Sequence, residues 1–329
     1  MFIASPVRAL FAPSFWSLGL LLALLVSLPV QAKTLLRIGY QKSSTLMSLM
    51  KADGSLERAL LSQDVAISWH EFASGQPLAE ALNVGSVDLS ADVADTVPVF
   101  ARAAGADLVY FAREAPSPEA QAILVSRAAP FKTVADLKGQ KVAVTKASGS
   151  HYLLMAALAK AGLSFADIQP VWLTPADARA AFETGQVAAW AAWEPFLSAA
   201  CDQAGARILA DGRQLADYQR YYLASIRFAR QHPQVLQRIY AELVRAGQQV
   251  RAHPARTARV LVPLWGNLAP QIIEQANARR SYRVLPVDQA SLAGQQRLAD
   301  AFYRAGLLPV RPDFKDAVLW HPSTTAIPH

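Results

Sequence analysis

A chain of 329 residues with 53% hydrophobic residues and a single cysteine is long enough for two ordinary lobes and excludes a disulfide framework. Its 32 lysines and arginines against 25 acidic residues give a formal charge of +7. The basic residues are spread along the chain and form no tract, which argues against a nucleic-acid groove and leaves only a mild field favouring anions.

The first segment reads as a targeting sequence. Arg8 is its positive flank, Phe15–Val30 its apolar run, and Val30-Gln31-Ala32 a small-residue cleavage site. Pro13 and Pro29 bracket that run, which falls short of the ~20 apolar residues a membrane span needs. Cleavage after Ala32 is therefore expected in place of an anchor, giving a signal peptide over 1–32 and a periplasmic protein. Cys201, the only cysteine, lies far from the cut. It offers no lipid attachment there and reads as a small hydrophobe, not a nucleophile.

Strands and helices then alternate. Leu35–Tyr40 is a strand, Gln41-Lys42-Ser43-Ser44-Thr45 a polar turn, and Leu46–Met50 the start of a helix. Asp64–Phe72 alternates apolar and polar residues as a strand, Gln76–Asn83 is helical, and Val87–Ser90 is a brief strand. Asp95-Thr96 caps a helix over Val97–Ala104, and Leu108–Phe111 is the next strand. The pattern predicts an α/β lobe whose loops at the carboxyl ends of the strands face a ligand. After the turn-rich Ala115–Pro118, Gln121–Val125 is read as the first crossing to a second lobe, and Tyr221–Ser225 as the return. From His232 onward helix follows helix, most with proline at or near the start.

One stretch organises the rest. Lys141–Thr145 is a strand, Lys146-Ala147-Ser148-Gly149-Ser150 a loop, and His151–Ala161 a helix. A Ser/Gly loop on a helix start offers unpaired N–H groups and the positive end of the dipole to a small anion. Ser148 or Ser150 as a simple helix cap is the other reading, and both stand open at this point. His151 is either a donor to an oxyanion or a packed histidine. Trp190 fits a core position, and Trp193, at a strand-to-helix loop, fits a cleft wall. No nucleophile elbow, Walker loop, dinucleotide fingerprint or zinc motif occurs, and the histidines lack metal-ligand spacing. Convergent donors without an acid–base pair describe a binding protein, not an enzyme.

The residues resemble one family over nearly the whole chain after residue 32. The segments that carry the likeness include Leu36–Lys42, Glu80–Ser90, Pro98–Tyr110, Val134–Leu154, Ala166–Gly185, Ala189–Phe196, Arg279–Asp288 and Ala299–Pro309. They are similar to the periplasmic solute-binding proteins of ABC importers for aliphatic sulfonates, within a wider group of taurine, nitrate and thiamine-precursor binders. The resemblance implies a type II periplasmic-binding-protein-like α/β fold of two lobes, with mostly parallel sheets and two hinge-crossing strands. Lobe one takes 33–120 and 226–329, and lobe two takes 121–225. It further implies an organosulfonate or sulfate-ester ligand, no cofactor, no catalytic or metal residues, a membrane permease as partner, and a monomer. The head group is expected at Gln41, Ser44 and Thr45, at Asp95 and Thr96, and at Ser148, Gly149, Ser150 and His151, with Trp193 and Glu194 on the tail side. Taurine or nitrate are alternative ligands; a thiamine-precursor binder or synthase and a sensory protein are further ones. A Gly-Asp-x-Pro-Pro turn of the family is Ala94-Asp95-Thr96-Val97-Pro98 here, and Asp92 is added. A carboxylate such as Asp95 beside an anion is unfavourable unless it orients donors or meets an amine on the ligand.

Overall fold

Strand β1 (Thr34–Gln41) opens the first sheet because Leu36 and Ile38 point to one apolar face and are fully buried, each worth about 1.5–3 kcal/mol. The computed structural model describes residues 1–2 and 33–323; the segment read as a signal peptide lies almost wholly outside the described residues. The first lobe continues with α1 (Thr45–Asp53), α2 (Ser55–Leu60), β2 (Val65–Phe72), α3 (Gly75–Asn83), β3 (Leu89–Ala94), α4 (Thr96–Ala103) and β4 (Leu108–Glu114). The second lobe holds β5 (Gln121–Ser126), β6 (Lys141–Val144), α5 (Gly149–Lys160), β7 (Gln169–Trp172), α6 (Pro175–Glu183), β8 (Ala189–Trp193), α7 (Phe196–Gln203) and β9 (Ala206–Asp211). The chain then returns through β10 (Arg220–Ser225), α8 (Ile226–Gln231), α9 (Pro233–Ala252), α10 (Pro254–Leu261), α11 (Pro270–Ala278), β11 (Val284–Leu285), α12 (Gln289–Arg304) and β12 (Val318–Leu319).

The first sheet runs β11-β4-β10-β3-β1-β2, with β12 also on β4, and the second runs β7-β6-β8-β5-β9. Both are mixed. Strands β2, β1 and β3 are parallel, as are β7, β6 and β8, because each pair is joined through a helix. Strands β10 and β5 run antiparallel to their neighbours, because each enters its sheet from the opposite lobe. The returning Tyr221–Ser225 is therefore an inner strand of the first sheet, and the links between the lobes are the short connections before β5 and after β9.

Each sheet buries both faces. On the first, α1, α2 and α9 cover Leu36, Ile38, Ala91 and Phe111, and α3, α4 and α12 cover Val93, Tyr110 and Leu223. On the second, α5 covers Val142 and Val144, and α6 and α7 cover Ala143, Trp190 and Ala192. Trp190 is thus a core residue, and Cys201 packs half-buried against the same cluster. The crossings bring the carboxyl ends of β1, β2 and β3 opposite those of β6 and β8, the position where α/β sheets bind ligands.

Candidate functional site

The crevice between those strand ends is built from one helix start in each lobe. Helix α5 begins at Gly149, with Ser148 as its cap; the Ser148 hydroxyl accepts the His151 N–H at 3.2 Å and donates to the Thr145 carbonyl at 2.7 Å. Helix α3 begins at Gly75, with Ser74 at the cap position and no side-chain cap bond. First-turn N–H groups have no intrahelical acceptor, so both starts offer amides and positive dipole ends to the same space. The glycines are required by close approach. A Cβ on Gly149 would lie 2.3 Å from the Tyr218 ring, and one on Gly75 would lie 2.6 Å from Val97 Cγ2.

Around the two starts, Gln41, Lys146, Trp193, Tyr218 and Arg220 complete the walls. No carboxylate lines the crevice among the described residues. The volume is only ≈10 Å³, about what one water needs, so the lobes are shut and must part to admit a tetrahedral anion. Ala147 and Tyr218 hold φ of +59° and +52°, left-handed values that carry a penalty of about 1–2 kcal/mol each for non-glycine residues. Both face the crevice. Thr96 Oγ1 donates to the Ala147 carbonyl at 2.7 Å, so the strained loop of one lobe is tied to the other.

Arg220 enters the crevice from a buried charge network. Its guanidinium pairs with Asp92, donates to Tyr218 Oη at 2.8 Å, and reaches Ser43 Oγ at 3.3 Å. Arg280 bonds Asp92 at 3.0 Å and Glu114 at 2.7 Å. Burial alone would lower both arginines; for Arg220 the Asp92 carboxylate, and for Arg280 Glu114, Tyr282 and Asp92, outweigh it and hold them above the ordinary value. Two cations and two anions balance, so an incoming anion meets fixed donors without a net buried charge.

Of the expected site residues, the structure brings Gln41, Ser148, Gly149 and Trp193 together. Seven others do not line the crevice, each for a physical reason. Ser44 Oγ accepts the Gln41 N–H at 3.1 Å, and Thr45 Oγ1 accepts from Arg280 and Tyr282, both facing inward. Thr96 serves the link just described. Ser150 is fully buried against Ser148 Oγ at 2.9 Å. Asp95 turns to the opposite side, onto a polar cavity of ≈340 Å³ shared with Asp217 and Arg297. There burial, with Asp217 adding to it, lifts its carboxyl to about 7 despite the Gln219 N–H at 3.0 Å. Glu194 is held by Arg279 Nη1 at 2.5 Å and Ser198 Oγ at 2.9 Å, and burial still raises its carboxyl. His151 packs among Phe100, Phe165, Trp172 and Phe302 at ring distances of 5.0–5.9 Å. Burial, with Lys146 nearby, depresses its imidazole to about 3. Its Nδ1 accepts the Ala147 N–H at 3.3 Å, while Nε2 has no partner.

Ser74, Gly75, Gln76, Lys146, Tyr218 and Arg220 were not anticipated. Of these, Ser74-Gly75 carried a readable signal, since a serine followed by glycine precedes the helix after β2.

Comparisons with known proteins show what the whole chain is similar to. The family described as NMT1/THI5 like matches residues 64–257. A curated Escherichia coli (strain K12) protein named for aliphatic sulfonate binding is 45% identical over 288 residues, covering 88% of this chain and 89% of its own. The crystal structure of the periplasmic aliphatic sulphonate binding protein from Escherichia coli superposes with a TM-score of 0.79 at 44% identity, covering 90% of this chain and 94% of that one. The alkanesulfonate-binding protein of Xanthomonas axonopodis pv. citri, bound to MOPS, gives 0.82 at 41% identity, covering 87% and 98%.

Proposed function

The chain belongs to the NMT1/THI5-like family, alongside the aliphatic sulfonate-binding proteins, and on that footing we propose that it captures aliphatic sulfonates in the periplasm for an ABC importer. It works as a monomer that hands its ligand to the membrane permease, and its role is capture, not catalysis. One observation carries the reading: two helix starts and the cations of Arg220 and Lys146 converge on a crevice without a lining carboxylate. A sulfonate keeps its charge at neutral pH and needs donors, not a proton partner. Charge-assisted hydrogen bonds contribute about 1.5–3 kcal/mol each, so a few suffice for micromolar capture, about −8 kcal/mol, after the cost of association. Closure of the lobes removes water and strengthens each bond.

Calorimetric titration of the mature protein with methanesulfonate, ethanesulfonate, taurine, nitrate and sulfate tests this. Short alkanesulfonates bind at micromolar concentration and nitrate does not. The absence of heat with every sulfonate defeats the ligand assignment. Ser148→Asp places a carboxylate at the α5 start and abolishes binding while the thermal melt stays within a few degrees; retained affinity would remove the head group from that position.

A further inference from the structure

The two lobes meet a second time, outside the crevice lining. Phe100 of α4 and Phe302 of α12 come from the first lobe; His151 and Tyr152 of α5, Phe165 and Trp172 come from the second. Phe302 is fully buried. Its ring lies 4.9 Å from Phe100, 5.0 Å from His151 and 5.8 Å from Tyr152. On the far side of the imidazole, Trp172 stands edge-on at 5.0 Å and Phe165 at 5.3 Å. None of these six side chains lines the crevice. Parting the lobes draws Phe100 and Phe302 off His151 and wets apolar surface, so the contact favours the shut form.

His151 joins this contact to the crevice. Its Nδ1 accepts the Ala147 N–H at 3.3 Å, which fixes the ring proton on Nε2. A second proton would have to sit on Nδ1, against the Ala147 N–H, and would charge a ring that is 1% exposed. Among the described residues nothing around the ring compensates such a charge. Helices α4 and α12 face it with Phe100 and Phe302, β7 with Trp172, and the turn before β7 with Phe165; Tyr152 beside it is a phenol, and Lys146 is itself a cation. Ala147 is the left-handed residue whose carbonyl holds Thr96 of the other lobe, so loss of its N–H bond loosens that tie as well. We propose that the cluster is a proton-released latch: Phe302 seated on a neutral His151 holds the lobes shut, and protonation of His151 lets them part and the ligand leave. Wetted in the open form, the imidazole titrates near its ordinary 6.5; shut, it titrates at about 3. Closure is therefore whole above about 6.5 and weakens by up to about ten-fold per pH unit below it. The latch requires no particular ligand; only the affinity arm of its test rests on the head-group reading proposed above.

The test is small-angle scattering of the ligand-free mature protein at pH 7.5 and 5.0, with methanesulfonate calorimetry at the same two values and melts to confirm folding. The wild-type radius of gyration rises at pH 5.0, and methanesulfonate affinity falls about ten-fold or more. Asp95 titrates over the same window on a cavity that Tyr152 also lines, so His151→Leu, which keeps Asp95, separates the two groups. That variant stays compact and holds its affinity within about three-fold across the two pH values. Phe302→Ala opens the protein already at pH 7.5 and weakens binding about ten-fold. Trp172→Ala, at a position 44% exposed on the other lobe, does the same to a smaller extent. Wild-type scattering that is identical at the two pH values overturns the release by protonation. A His151→Leu variant that opens in acid as wild type does assigns the opening to another group and overturns it too. Phe302→Ala as compact as wild type overturns the latch, and should that variant fail to fold, Trp172→Ala decides in its place. If no methanesulfonate binds at pH 7.5, the head-group reading loses its support and scattering alone decides the latch.

Discussion

The two lobes bring a helix start to the same crevice by different routes. In the second lobe the route is local: β6 runs into a capped serine–glycine turn, and the turn itself is the wall. In the first lobe three helix starts follow parallel strands; the α3 start brings Ser74, Gly75 and Gln76 to the crevice, whereas the α4 start brings Val97 alone. The α1 start is covered by Arg280 and Tyr282, and the α4 start is held by Ala147 and Gln295. A strand–loop–helix pattern is thus necessary for an anion cradle but does not choose among neighbours. In the first lobe the α1 start is taken up by Arg280, which belongs to the buried network with Asp92, Glu114 and Arg220.

The largest expected effect comes from breaking that network. Arg280→Met leaves Asp92 and Glu114 buried with one arginine and destabilises the protein by about 3–5 kcal/mol in denaturant melts. A loss under 1 kcal/mol would show that the network does not hold the first-lobe loops. The next contrast sets Asp95, at the α4 start, against His151, in the first turn of α5. His151 has an ordinary value near 6.5 and about 3 when folded. The unfolded chain takes its proton first, so this stability is whole above about 6.5 and is lost as pH falls toward 3. Asp95 moves from 3.8 to about 7. The folded chain keeps its proton longer, so that stability is whole below about 4 and is lost as pH rises to 7. Between pH 4 and 6.5 the two slopes oppose each other. Asp95→Asn therefore gains on wild type by about 1.4 kcal/mol per unit as pH rises, and His151→Leu gains as pH falls. Melts at pH 4.5, 5.5 and 6.5 check this, and a constant offset for either variant refutes its half.

Smaller effects separate the two starts themselves. Gly149→Ala drives a methyl into Tyr218 and Gly75→Ala drives one into Val97. Each should cost about 1–3 kcal/mol in stability and at least ten-fold in sulfonate affinity, the Gly149 change more because an aromatic ring yields less than a valine methyl. Ser148→Ala loses a cap worth about 1 kcal/mol and weakens binding, whereas Ser44→Ala leaves affinity within two-fold. Equal losses at the two serines would return α1 to the site.

The sequence made the second-lobe wall legible because capping, glycine and helix start lie within a few consecutive residues. Trp193 was legible for the same reason, standing at a strand end. Alternation likewise disclosed most strands, but it did not disclose that β10 would lie between β3 and β4, which only the crossing of the lobes decides. Asp92 reads in the sequence only as an added acid before the Ala94–Pro98 turn; the structure places it buried inside β3, a position that demands a cation. Its partners lie 128 and 188 residues away, and no local pattern links them. His151 and Glu194 were drawn toward the ligand by their neighbours in sequence. The folded chain gives one to an aromatic cluster and the other to Arg279, which keeps both out of the crevice lining.

The place of β10 also bears on how the chain is made. Synthesis from the N-terminus delivers β1 to β4 first, yet β3 and β4 are not hydrogen-bonded to each other and wait for Arg220–Ser225 to stitch them together. The second sheet draws all its strands from Gln121–Asp211 and can close as soon as that stretch is released. The nascent chain should therefore mature from the middle outward, with residues 34–114 kept loose until the keystone arrives.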